Sequence, residues 1–304
     1  MKPAQELLNA CTFPLAGEVD LAVSGGPDSL GLLLLALDAG LDVRVHHVDH
    51  HARAASTADA EFVVAVGATF DVPVVVHDVE VAPGTNFEAR ARSERRRVLP
   101  PGCLTGHTMD DLAETVLLNM IRGAGLDGLS PLVNDPTKPL VRLRRSDVAA
   151  LVGERGLEAR HDESNDDLAY RRNRVRHQLM PLLSEVAERD VVPLLARQAH
   201  VLYDDRAWLD SLVEEDALRA LDEVDCRELR EWPRARLRRW LRAQLGVVDE
   251  LGESHPPSSA EIERALRVVD GEVVATELQG GRRLSRSAQR LALEGGSTTL
   301  TSHG

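Results

Sequence analysis

The stretch VDLAVSGGPDSLGLLLLAL (19–37) limits the fold more than any other part of the chain. It is a short β-branched run, a turn with two adjacent glycines, and then a continuously apolar helical pattern. A strand that passes through a tight turn straight into a helix buries both elements when the helix packs back on a sheet and the chain returns parallel to the first strand. Three further strand patterns follow: LDVRVHHV (41–48), VPVVVHDV (72–79) and CLTG (103–106). Between and after them lie helical patterns at about 28–39, 56–69, 86–98 and 110–122. This alternation predicts an α/β fold with a doubly wound parallel sheet, whose ligands sit at the carboxyl ends of the strands where the strand order reverses.

The pattern changes downstream. RGAGLDGLSPLVNDPTKP (122–139) is rich in glycine and proline and reads as a lid or substrate loop. A helix resumes over 146–156, followed by the polar stretch HDESNDDLAYRRNRVRH (161–177). Residues 185–245 are helical and charged, SHPPSS (254–259) reads as a linker, and 271–294 as strand, GG turn, strand. The expected division is a catalytic domain over 1–185 and a smaller, mainly helical accessory domain over 186–304 that ends in a β-hairpin.

Composition narrows the partners. The net charge of −13 argues against indiscriminate nucleic-acid binding while leaving a local basic face open, and lysine occurs only at Lys2 and Lys138, so the positive charge is almost all arginine. Cys11, Cys103 and Cys226 lie too far apart for a CxxC pair, and no apolar run is long enough to span a bilayer. A cytoplasmic protein with no membrane partner is expected; a homodimer is left open.

The turn SGGPDS places Ser24, Gly25, Gly26, Pro27, Asp28 and Ser29 between strand and helix. Backbone N–H groups and a helix N-terminus converge there, which suits an anion such as phosphate. The lysine of a Walker A loop is absent. Asp28 would repel a phosphate unless it holds Mg²⁺ that the phosphates share. HHVDHH (46–51) is the densest group of metal-ligand side chains, but strand alternation sends its histidines to opposite faces. In TGHTMDDLAETVLLNMIRGAG (105–125), Asp111 and Glu114 share one face of a helix, with His107 just before it.

SGGPDS resembles the SGGxDS signature of the PP-loop ATP pyrophosphatases, and residues 105–125 resemble the GHxxDDxxETxLxxxxRGxG block of their tRNA-modifying members. NFEARARSERRRVL (86–99) looks like an ExxARxxR helix through Glu88, Arg92 and Arg95, and KPLVRLRRSDV (138–148) like an RPL segment. HDESNDDLAYRRNRVRHQLMPLL (161–183) is similar to the DxSNxDxxYxRNxxRxxxxPxL block of the tRNA(Ile)-lysidine synthetases. The likeness covers about 19–183. It departs from the family pattern at Lys138, Leu112, Ala124 and His51.

The resemblance implies ATP and Mg²⁺ as cofactors, and an isoleucine tRNA with a CAU anticodon and L-lysine as partners. The implied reaction adenylates the C2 oxygen of the wobble cytidine and then joins lysine at C2. It casts Asp28, His107 and Asp111 as catalytic, with Asp28 on the metal. The SGGPDS residues, Val48, Asp49 and His50 would line the nucleotide, with Arg53 anchoring that loop. Lysine or tRNA would meet Arg92, Arg95, Asp111, Glu114, Arg122, Arg172, Asn173 and Arg176. On this reading Asp111 and Glu114 bind the lysine ammonium, and Asp111 or His107 takes its proton, unless His107 serves the α-phosphate as an imidazolium. Asp162, Ser164 and Asn165 would brace their segment. The arginines of 235–245 and 281–290 would add a tRNA surface. Competing readings are a tRNA thiolase, which needs a reactive cysteine, a non-catalytic tRNA-binding module, and a metallohydrolase built on HHVDHH.

Overall fold

A computed structural model describes residues 3–49, 56–79, 87–160, 166–248 and 254–295. The chain divides into two compact units: Met1–Arg122 with Gly128–His200, and Gly123–Asp127 with Val201–Gly304. The first unit takes in the start of a helix that composition assigns to the second. No described helix is long and apolar enough to cross a membrane.

The first unit opens with α1 (Ala4–Ala10), β1 (Glu18–Ala22), α2 (Pro27–Asp38), β2 (Asp42–Asp49), α3 (Ser56–Thr69), β3 (Val74–Asp78), α4 (Phe87–Val98), β4 (Leu104–Thr105) and α5 (Met109–Ile121). The four strands are parallel in the order β3-β2-β1-β4, so the order reverses between β1 and β4. Right-handed crossovers then put α2 and α3 on one face and α4 on the other. Apart from α1, which no pattern marked, each strand and helix in this run matches a pattern in the sequence to within a few residues.

Helix α2 is apolar all round because it is covered all round. Leu30, Leu32, Leu33, Leu34 and Leu35 are buried in one core with Val19 and Leu21 of β1 and Val43 and Val45 of β2. Leu7 of α1 closes that core, as do Val148, Leu151 and Val152 of α6 (Arg145–Glu154). The packing of α6 on α2 carries the arginines at its start to the turn after β1. The segment before α6 is tied to the sheet, since the Thr105 N–H donates to the Thr137 carbonyl at 2.9 Å. The unit continues through α7 (Arg171–Arg174), a π turn, and α8 (Met180–Val186), and reaches into α9 (Val192–Ser211).

The second unit adds α10 (Glu214–Ala217), α11 (Cys226–Glu231), α12 (Arg234–Leu245), β5 (Val247–Val248), β6 (Ser254–His255), α13 (Ser259–Asp270), β7 (Ala275–Leu278), β8 (Arg282–Ser287) and β9 (Arg290–Glu294). Its core gathers Leu237, Trp240, Leu241 and Leu245 of α12 with Ile262, Leu266 and Val269 of α13 and Leu278, Leu284 and Leu291 of the sheet. SHPPSS is not a linker: Ser254 and His255 pair antiparallel with β5, and Ser258 caps α13. In that cap the Glu261 N–H donates to the Ser258 hydroxyl oxygen at 3.2 Å, and the Ser258 N–H donates to the Glu261 carboxylate at 2.9 Å. The GG turn does join two strands, β7 and β8, but a third, β9, pairs with β8 through a turn at Ala288 and Gln289, both at positive φ.

Candidate active site

The turn after β1 folds around its two serines. The Ser29 hydroxyl donates to the Gly26 carbonyl at 2.9 Å and accepts the Ser24 N–H at 3.2 Å. Gly25 has φ +88°, and a side chain there would also meet Phe62 at 3.2 Å. Gly26 caps α2 and Pro27 begins it, so the first N–H groups of α2 open toward the same space. Gly106, after β4, lies so close to this turn that a Cβ on it would sit 2.5 Å from the Asp28 carbonyl oxygen. This contact sets the start of α5 beside the turn.

At that start, Asp111 serves as a reversed cap. Its Oδ2 accepts the Thr108 N–H at 2.8 Å and the Thr108 hydroxyl at 2.9 Å. Its Oδ1 accepts from Arg145 at 2.8 Å and from Arg172 at 3.1 Å. Glu114, one turn further along, is 2% exposed and accepts from Arg145 at 3.0 Å, Arg172 at 2.9 Å and Arg176 at 2.7 and 3.1 Å. Each carboxylate therefore receives four hydrogen bonds, which is about its full acceptor capacity. The expectation that these two acids bind a lysine ammonium does not fit this arrangement, because three guanidiniums already fill them. Although burial opposes ionisation, Arg145 first and then Arg172 hold the Asp111 carboxyl down at about 2. Glu114 is likewise lowered by its arginines against the effect of burial.

Asp28 is less well served. Its Oδ2 accepts from Arg145 Nε at 2.9 Å, and its Oδ1 is buried without a hydrogen bond. Burial pushes its carboxyl up to about 6, with Arg145 pulling the other way. A buried, unpaired carboxylate oxygen beside a turn whose N–H groups open toward the same space suits a divalent cation. Asp28 thus fits the role of a Mg²⁺ ligand, while Ser24, Gly25, Gly26, Pro27 and Ser29 form the adjoining cradle.

His107 precedes α5, its Nδ1 bonded to the Thr105 hydroxyl at 2.8 Å. Burial, aided by Lys138, Arg172 and Arg95 and opposed by Asp111, pulls its pKa down to about 4. It is therefore neutral at neutral pH, which counts against the imidazolium alternative. It lines a cavity of about 420 Å³ with Leu118, Asn119, Leu132, Tyr170 and Arg172. Arg122, at the end of α5, and Arg171 stand at the same cavity. Leu132 projects from the Gly- and Pro-rich loop at φ +59°, a conformation costly for leucine.

The remaining residues scatter. Val48 and Asp49 end β2 at the carboxyl edge of the sheet, and Asp49 is buried. Asn173 is buried and donates to the Asp167 carbonyl at 2.9 Å, so it braces its segment instead of facing a substrate. Arg95 is half-buried in α4, its pKa lowered by burial and by Arg96 and Arg172. Arg92 belongs to α4. His50, Arg53, Asp162, Ser164 and Asn165 lie outside the described residues. In HHVDHH, His46 bonds Asp20 at 2.8 Å and His77 at 2.9 Å, while His47 bonds the Val23 carbonyl at 2.9 Å. These two rings serve neighbouring strands, and among the described residues no cluster of three or more His, Cys, Asp or Glu forms a metal site. Cys103 is buried beside β4 with its thiol pushed up to about 12, which makes it a poor nucleophile.

Sequence reasoning missed Arg145. It bridges Asp28, Asp111 and Glu114, yet RLRR offers no spacing that selects one arginine from its neighbours.

Residues 3–183 match a PP-loop domain family model. A tRNA(Ile)-lysidine synthase of Thermosynechococcus vestitus is 34% identical over 295 residues, covering 90% of this chain and 85% of the relative. That of Rhodococcus erythropolis is 35% identical, covering 86% and 82%. That of Thermus thermophilus is 39% identical over a shorter span, 54% of this chain and 35% of the relative. Among solved structures, the U34-tRNA thiolase NcsA from Methanococcus maripaludis superposes with a TM-score of 0.56 over 66% of this chain and 78% of its own. At 16% identity that likeness is one of fold.

Proposed function

Since the chain belongs to the tRNA(Ile)-lysidine synthase family of PP-loop enzymes, we propose that it joins L-lysine to C2 of the wobble cytidine in a CAU-anticodon isoleucine tRNA. In the first step the C2 oxygen attacks the α-phosphorus of ATP, and the bond to the bridging oxygen of pyrophosphate breaks. In the second a neutral amine of lysine attacks C2, the C2–O bond breaks, AMP leaves with that oxygen, and the amine loses a proton.

The observation that carries this reading is the continuous charge network from Asp28 through Arg145 to Asp111 and Glu114, and on to Arg172 at the cavity wall. It joins a phosphate cradle to a pocket within one unit. The cradle N–H groups would take the phosphates, and Asp28 would hold Mg²⁺, whose chemistry there is to neutralise phosphate charge. The cavity is the seat we assign to the splayed base, with Tyr170 and Leu132 as apolar walls and Arg122 and Arg171 beside the flanking phosphates. With the Thr105 hydroxyl donating to the Thr137 carbonyl at 3.4 Å, the neutral His107 ring would donate through Nδ1–H to Thr105 and offer Nε2 as a proton acceptor, whose basicity an arriving phosphate would raise. Asp111 and Glu114 act by holding three guanidiniums in place, since a lysine amine has a pKa of roughly 10.4 and its ammonium would have to displace one of them.

The test is to incubate the protein with ATP, Mg²⁺, labelled lysine and an unmodified CAU-anticodon isoleucine tRNA transcript, with a methionine tRNA as control. Label in the first tRNA alone is the expected result. No label, or equal label in both, would remove the proposal.

A further inference from the structure

Arg145 occupies a place that the reaction above does not explain. It is the first residue of α6, fixed there because Asp110 accepts its backbone N–H at 2.8 Å. Its guanidinium then spends one nitrogen on each of three carboxylates, Asp28, Asp111 and Glu114. Arg172 and Arg176 bond Asp111 and Glu114, and among the described residues Arg145 is the one arginine bonded to Asp28.

We infer that Arg145 is a positioning residue that stands in for the divalent cation, neutralising Asp28 in the nucleotide-free protein and giving it up when the cation arrives. This rests on the reading that Asp28 is the cation ligand. The asymmetry of the three carboxylates supports it. Asp111 and Glu114 have full sets of hydrogen bonds, whereas Asp28 has a bond to one oxygen and a second oxygen that is buried and unpaired. Losing Arg145 from Asp28 breaks one contact and leaves the acid pair held by Arg172 and Arg176. A divalent ion on Asp28 and a guanidinium at 2.9 Å from the same carboxylate repel strongly in a half-buried site. The two compete for one carboxylate, although they approach different oxygens. Once displaced, the Arg145 Nε–H remains at the cradle, free to meet a phosphate oxygen and anchored through Asp111 and Glu114.

The test is Mn²⁺ binding at pH 8 without nucleotide, read by electron paramagnetic resonance of the free ion. Arg145→Gln should bind Mn²⁺ at least about tenfold more tightly than wild type, and the double variant Asp28→Asn/Arg145→Gln should lose the gain. Equal or weaker binding by Arg145→Gln overturns the inference, and so does a double variant that stays tight. A second measurement does not depend on that variant folding. In wild type, Mg²⁺ should shift the arginine Nε–H resonance that is missing in Arg145→Lys, and leave that of Arg172 in place. No shift at saturating Mg²⁺ refutes the exchange. Neither measurement uses lysine or tRNA, so failure of lysidine formation and failure of this inference are read separately.

Discussion

In the first unit Arg145, Arg172 and Arg176 crowd onto Asp111 and Glu114. In the second, the five arginines of α12 each take a separate acid: Arg234 with Asp270, Arg236 with Asp216, Arg238 with Glu263, Arg239 with Asp210 and Arg242 with Asp127. Both regions are arginine-rich in sequence, and their physics differs. The first four of these pairs each keep at least one partner exposed to water, so each is screened and contributes little. Their arginines are also matched locally, so the second unit carries less unpaired positive charge than its sequence suggests. The converging set holds two buried acids under three half-buried guanidiniums, and removing these five charges from water costs desolvation that hydrophobic residues of the same volume would avoid. A cluster that is expensive as structure is better explained by what it positions.

Breaking the comparison at its strongest point should have the largest effect. Glu114→Gln leaves Asp111 and Asp28 to balance three guanidiniums and should destabilise the first unit by about 3 kcal/mol, with lysine incorporation down at least about a hundredfold. Calorimetry and the labelled-lysine assay would check both. A fully active Glu114→Gln enzyme would reduce the cluster to scaffolding.

Asp28→Asn should separate stability from activity. Burial raises the Asp28 carboxyl to about 6, so its charge at neutral pH costs stability, and an amide of the same shape removes that cost while losing the Arg145 pair. Activity should fall at least about a hundredfold while the melting temperature holds or rises. A large drop in melting temperature would mean that the ion pair, and not the burial, dominates.

Acid should strike the first unit through Asp111. Its carboxyl is lowered from 3.8 to about 2, so the stabilisation it brings is complete above about pH 4 and is lost as the pH falls through 2. The size is about 2 kcal/mol, and Asp111→Asn should flatten that part of a stability–pH curve. The smallest effect belongs to the second unit, where Arg238→Ala should change stability by less than about 0.5 kcal/mol. A larger loss would show that its surface pairs act as a network.

Much of this was legible from residue order. The β1 turn, the histidine before α5 and the acids on α5 carry spacing that only their local geometry explains, and the structure places all of them near the reversal in strand order. Arg145 was not legible, because its partners lie 31, 34 and 117 residues away and its signal is one arginine among several. The saturation of Asp111 and Glu114 was hidden for the same reason: sequence shows which charges exist and not how many converge. HHVDHH was legible as a strand end and not as a metal site, but its pairing was not: His46 is spent on Asp20 and His77 of adjacent strands. The S-x-x-E at Ser258 was a readable helix start inside a stretch whose prolines suggested a linker. Strand β9 had no such cue, its turn being Ala-Gln where Asn-Gly would be expected.

The central claim is that the cradle adenylates the base before lysine attacks in the same unit. An isoleucine tRNA carrying ¹⁸O at C2 of the wobble cytidine tests it most directly. With ATP, Mg²⁺ and lysine, mass spectrometry should find the ¹⁸O in the phosphate of AMP, in an amount equal to the lysine incorporated. Recovery of the ¹⁸O in water or pyrophosphate, or its retention in the lysine-bearing tRNA, would contradict the account.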